Sequence, residues 1–116
     1  LYEVFYAGCI PVILSDDYEL PFQSFLDWST FSIKWPMKQL DGLYEHLADM
    51  VQNRWHDVQR LHSSMTSHKC WFDYHTPTST HCSPYLGFLE ELARKRRPLQ
   101  MQPKMSLKRS TTVYWY

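Results

Sequence analysis

The sequence predicts a helix-rich α/β fold, and three observations predict it. Residues 10–14, Ile-Pro-Val-Ile-Leu, form an unbroken apolar run between a glycine and a polar cluster, which suits a short buried strand. Residues 31–35, Phe-Ser-Ile-Lys-Trp, alternate apolar with polar and stop at Pro36, as a second strand would. From Leu40 onward the apolar residues recur at steps of three and four, the period of an amphipathic helix.

Each element can be justified in order. Leu1, Val4 and Phe5 share one face at helical spacing and Glu3 lies opposite, so the chain opens on the end of a helix. Gly8 ends that helix, because glycine takes positive φ without steric cost. Pro11 has no N–H to give a sheet and fits the first strand position. Residues 10–14 are expected to be buried on both faces, as in a parallel sheet between helices. Ser15, Asp16 and Asp17 follow at the strand's carboxyl end, the side on which open α/β sheets bind ligands. Pro21 is expected to open a short helix carrying Phe22, Phe25 and Leu26 on one face. Asp27-Trp28-Ser29 reads as a turn, and residues 31–35 as a half-buried edge strand beside the first.

Leu40, Leu43, Tyr44, Leu47, Met50 and Val51 form a helical stripe, continued by Trp55, Val58, Leu61 and Met65. Asn53 is its weakest helix former, so the stripe is one long helix or two broken near that residue. Residues 67–84, rich in His, Thr, Ser and Pro, read as a loop. Residues 85–97 are helical again, with Leu86, Leu89, Leu92 and Ala93 on one side, a basic end suited to the helix dipole, and Pro98 as terminator. The remainder to Tyr116 is expected to be poorly ordered, with residues 113–116 able to dock on an apolar surface.

Composition narrows the function classes. A chain of 116 residues suffices for one small domain with a modest core. Twelve basic and twelve acidic residues balance, which argues against strong global steering of charged partners. The balance is uneven, since no acidic residue follows Glu91. That basic end could contact nucleic acid or an anionic glycan. It carries no nucleic-acid module and is expected to be a solvated helix end with a flexible tail, so no nucleic-acid partner is expected. An aromatic content of 16% favours a packed core over disorder. No stretch is long and apolar enough to span a bilayer.

The run Leu1-Tyr2-Glu3, then Gly8 through Phe22, then Leu26-Asp27-Trp28-Ser29 and Phe31-Ser32-Ile33, resembles the exostosin-like glycosyltransferases of family 47. The likeness is strong over the first third of the chain and weak over the next. The resemblance implies a partial Rossmann-like C-terminal half-domain of a glycosyltransferase B (GT-B) fold. Residues 1–66 would be its donor-binding part, 67–97 a loop and C-terminal helix, and 98–116 the tail. It also implies a hexosyl- or pentosyltransferase that moves a sugar from a nucleotide-sugar, a UDP-sugar above all, to a polysaccharide or glycan acceptor. Such enzymes are expected in the lumen of the Golgi apparatus or endoplasmic reticulum, held by an N-terminal membrane anchor, as homo- or hetero-oligomers. The chain begins without Met and in mid-motif, so a longer protein is expected, and this piece alone is expected to be inactive.

The resemblance also sharpens the site. Periodicity alone makes Glu3 a solvated helix carboxylate. In the Glu-x4-Gly frame it matches the position that grips the nucleotide ribose, and a carboxylate can accept hydrogen bonds from two vicinal hydroxyls. A diphosphate would rest at the helix N-terminus ahead of Leu1. Asp16 and Asp17 are either ordinary turn residues or cleft carboxylates that contact the nucleotide-sugar, serve as base, or hold a divalent ion such as Mn2+. Glu19 has the same two readings, and nothing marks the catalytic base. Trp28 is a weak candidate for stacking on a sugar, whereas Phe31 and Trp35 read as core. Gly8 and Cys9 read as structural, the latter as a small buried thiol.

Cys70 and Cys82 are expected to pair as a disulfide in a lumenal protein, with free thiols as another state. Zinc held with His68, His75 and His81 is disfavoured, because the spacing matches no standard module. His46 and His56 read as solvated and His62 as half-buried packing. Two other functions compete with the enzyme: a non-catalytic remnant kept for association, and a small metal-binding module around Cys70 and Cys82.

Overall fold

The computed structural model describes residues 1–74, 81–96 and 114–116. His75, Arg97 at the end of the predicted last helix, and residues 98–113 of the predicted tail lie outside them. Helix α1 (Tyr2–Tyr6) ends at Ala7, and Gly8 follows at φ 72° with open space where a Cβ would stand. That turn feeds strand β1 (Val12–Ile13). Strand β2 (Ile33–Lys34) lies parallel to it, with Val12 opposite Ile33 and Ile13 opposite Lys34. The Ile33 amide donates to the Pro11 carbonyl at 3.0 Å and the Trp35 amide to the Ile13 carbonyl at 2.9 Å. Among the described residues the fold is thus α/β, with a two-stranded parallel sheet.

Burial of the strands differs from expectation in both directions. The run 10–14 is not dry on both faces: Ile13 is 7% exposed but Val12 is 37% exposed, because the described elements cover only one face. Residues 31–36, predicted half-buried, are all buried. Nor is β2 an edge, since the Lys34 amide donates to the Trp115 carbonyl at 2.9 Å from the side away from β1. Lys34 tolerates burial because its ammonium sits 5.8 and 5.5 Å from the ring centres of Tyr114 and Trp115, a cation–π arrangement.

The predicted helix after Pro21 is a turn instead, in which the Leu26 amide donates to the Phe22 carbonyl at 2.8 Å. Phe22 sits at φ 59°, a left-handed conformation unusual for a bulky residue. Tertiary packing overrides helix propensity here, because this turn lets both Phe22 and Leu26 reach the core. The core is aromatic. Phe5 stacks on Phe72 at 4.2 Å, and Trp28 packs edge-on to both.

The long stripe resolves into two helices, α2 (Leu43–Asn53) and α3 (Trp55–His68), broken at Arg54, whose φ of −127° and ψ of 42° leave the helical region. Asn53 first, and Arg54 after it, hold the Asp49 carboxyl below its usual range. Met50, Leu61 and Met65 are buried, whereas Tyr44, Val51 and Trp55 are exposed. The predicted loop from residue 67 begins as helix: α3 runs to His68 and a 3₁₀ turn, Lys69–Phe72, delivers Phe72 to the centre of the core. Local polarity masked this, because the apolar payload is only Trp71 and Phe72.

Helix α4 (Pro84–Lys95) starts with a full N-cap: the Leu86 amide donates to the Ser83 hydroxyl at 3.1 Å and Pro84 fills the first position. The side of α4 that faces the molecule is not the predicted one. Leu86, Leu89, Leu92 and Ala93 are exposed, and Pro84 and Gly87 are buried. Gly87 lies flat against the Phe22 ring, so close that an added Cβ would stand 2.5 Å from it. Cys70 and Cys82 are joined by a disulfide that ties the 3₁₀ turn to the approach of α4. Residues 114–116, inside the predicted tail, are docked on β2.

Candidate functional site

The candidate site is the α1–Gly8–β1 corner and the chain that leaves β1. Phe5 is buried and anchors α1 to the aromatic core, which leaves Glu3 on the solvent side. Among the described residues the Glu3 carboxylate takes no hydrogen bond or ion pair, so its lone pairs are open to a ligand. The Gly8 turn is fixed at both ends. The Cys9 amide donates back to the Val4 carbonyl at 3.0 Å, and His62 Nε2 donates to the Gly8 carbonyl at 3.1 Å. His62 is therefore exposed and hydrogen-bonded rather than half-buried packing. Cys9, expected buried, is exposed with a free thiol.

The carboxylates do not converge. Asp16 is half-buried, and its Oδ1 accepts from the Met37 amide at 3.3 Å and from the Tyr114 hydroxyl at 2.8 Å. That bond, ahead of burial, pushes the Tyr114 phenol above its ordinary value. Asp17 is exposed beside it. Glu19 points elsewhere, into an open cleft of about 400 Å³ that also holds Tyr2, Phe88, Glu91 and Lys95. Among the described residues no group of three or more His, Cys, Asp or Glu side chains could hold a metal ion. Asp16 and Asp17 therefore do not build a divalent-ion site by themselves.

Trp28 is not a stacking platform: it is 2% exposed, and its Nε1 donates to the Pro21 carbonyl at 2.8 Å. Phe31 and Trp35 are core. His46 is not a solvated bystander; it packs against Trp35 at 4.8 Å and Tyr116 at 5.7 Å. Tyr114 as a partner of Asp16 was missed. The aromatic cluster at its end of the sequence was the available signal, but a hydroxyl–carboxylate pair separated by 98 residues leaves no periodic trace.

This α/β corner lies within the segment over which the chain is similar to known proteins. Residues 1–50 match the Exostosin GT47 domain. Over 60 residues the chain is 37% identical to Exostosin-2 of Homo sapiens, covering 52% of this chain and 8% of that protein, and the figures are the same for Exostosin-2 of Mus musculus. Over 53 residues it is 38% identical to a probable glycosyltransferase of Arabidopsis thaliana, covering 46% of this chain and 11% of that protein. The chain thus carries an exostosin-like GT47 segment, and the matched stretch is only about a tenth of these relatives' length. No solved structure matches it.

Proposed function

We propose that this chain is the donor-side part of an exostosin-like glycosyltransferase that moves a sugar from a UDP-sugar to a polysaccharide or glycan acceptor. In this reading the chain supplies part of the C-terminal Rossmann-like half of a GT-B fold, and the acceptor and the base belong to the rest of the protein. The observation that carries the proposal is Glu3, an exposed and unengaged carboxylate held on α1 by the Phe5 anchor, one helical turn ahead of Gly8 and β1. Its two oxygens accept hydrogen bonds from the ribose hydroxyls. Asp17, exposed at the carboxyl end of β1, stands where the sugar would enter. Asp16 serves as a strut, since its Oδ1 is committed to Met37 and Tyr114.

The Cys70–Cys82 disulfide favours an oxidising compartment and supports a place in the Golgi or endoplasmic reticulum lumen. The joined sulfurs also disfavour the zinc reading. Calorimetric titration of UDP into the full-length protein tests the site. Glu3→Ala is expected to weaken binding by about ten- to a hundredfold, the scale of hydrogen bonds to a charged group. Unchanged affinity would remove Glu3 from the site, and no UDP binding by the parent protein would favour a non-catalytic remnant.

A further inference from the structure

We propose that the cleft between the chain leaving β1 and α4 binds a neutral saccharide and serves as an acceptor subsite. The cleft has a volume of about 400 Å³, within the range of small-ligand sites. Aromatic rings supply its apolar lining. Phe88, on α4, stands edge-on to the buried Phe22 at 6.0 Å, so it is braced and yet 54% exposed. Tyr2, on α1, packs against Phe72 at 5.8 Å and lines the same space. Glu19, Glu91 and Lys95 supply the charged lining. Glu91 and Lys95 are four residues apart on α4, the spacing of a helical ion pair, yet they do not pair. Instead the Ser24 hydroxyl donates to Glu91 Oε1, which leaves Oε2 without a partner among the described residues. Glu19 takes no hydrogen bond or ion pair among the described residues either.

This lining selects its ligand by elimination. The two carboxylates repel a uronate or a sulfated sugar, and the Lys95 ammonium repels a cation. An uncharged ligand rich in hydroxyls suits both. Carboxylates only accept hydrogen bonds and an ammonium only donates them, whereas a hydroxyl does either. A pyranose also has an apolar C–H face, which an exposed ring such as Phe88 covers. The cleft borders the candidate donor corner. Tyr2 precedes Glu3 on α1, and Glu19 follows Asp17 by two residues beyond the carboxyl end of β1. A saccharide here lies beside the proposed nucleotide site without using Glu3. Its role as acceptor rests on the proposed function, but the binding of a neutral saccharide does not.

Capture of the full-length protein on an array of neutral, uronate-containing and sulfated oligosaccharides, with no nucleotide present, tests the cleft. Neutral oligosaccharides are expected to capture it best. Capture by charged chains as strong as by neutral ones, or no capture at all, would overturn the proposal. The best neutral oligosaccharide is then titrated into variants. Phe88→Ala and Glu19→Gln are each expected to weaken it by about tenfold, the scale of a hydrogen bond to a charged group. Phe88→Tyr, which keeps the ring, should bind it as the parent does. Glu3→Gln should leave saccharide affinity unchanged and Phe88→Ala should leave UDP affinity unchanged, so failure of this cleft and failure of the nucleotide site are read separately. Saccharide affinity that survives both Phe88→Ala and Glu19→Gln would place the ligand elsewhere and overturn the proposal.

Discussion

At the scale of single residues, glycines and aromatic rings set the geometry on which the site depends. Gly8 gives the turn that separates Glu3 from β1, and its φ of 72° was legible from the sequence because a helix stop followed by an apolar run leaves little else for a glycine to do. Gly87 was not legible, because nothing local shows that a phenylalanine ring will lie across it. Phe22 presses on Gly87 and is itself wedged by Phe25, Trp71, Phe72 and Phe88, so its ring has little room to retreat. Gly87→Ala is therefore expected to destabilise the protein by about 1–3 kcal/mol, as overpacking does, measured by urea unfolding. A loss near zero would mean that α4 shifts freely on its seat. Asp16 was legible in part in the same way: its position at the strand end could be read, but not its hydrogen bond from Tyr114.

At the scale of elements, hydrophobic period predicted kinds of structure better than it predicted partners. It placed two strands, which do pair, and a helical stripe that it left as one helix or two parted near Asn53, which the structure breaks at Arg54. It failed where tertiary contacts decide. The segment after Pro21 turns because both its aromatics and Leu26 are drawn to one cluster. The leucines of α4 form a stripe, but the helix is fastened through its small face and leaves them exposed. That fastening consists of Gly87 on Phe22, the Ser24 hydroxyl donating to Glu91, and the nearby disulfide. Replacing Cys70 and Cys82 together by serine is expected to cost about 2–4 kcal/mol, the usual effect of a cross-link that closes a short loop. It should also raise hydrogen exchange in α4 before the rest of the chain. A uniform rise across all helices would show instead that the cross-link supports the whole core.

At the scale of the molecule, the described residues form two small apolar clusters. One is centred on Phe5, Trp28, Phe31 and Phe72, the other on Ile33, Met50 and Leu61. Large apolar side chains remain on the surface, among them Val12 in β1 and Leu89 and Leu92 on α4. Such exposed surface marks contact with further protein or with a ligand. It agrees with a chain whose matched stretch is a small part of its relatives' length. The family segment was legible because its residues are contiguous, and Glu3 was legible only through that segment. That the last residues could dock was legible from their aromatic side chains, but their seat on β2 was not, because Asp16, Ser32 and Lys34 lie about 80 to 100 residues away in sequence.

The central claim is that Glu3 holds a nucleotide by its ribose, and comparison of UDP with 2′-deoxy-UDP tests it most directly. The full-length protein and its Glu3→Gln variant would each be titrated with both ligands. Loss of the 2′-hydroxyl is predicted to weaken binding to the parent by about tenfold or more and to leave binding to Glu3→Gln almost unchanged, since the partner of that hydroxyl is already impaired. An equal penalty in both proteins would show that the ribose is held elsewhere and contradict the account.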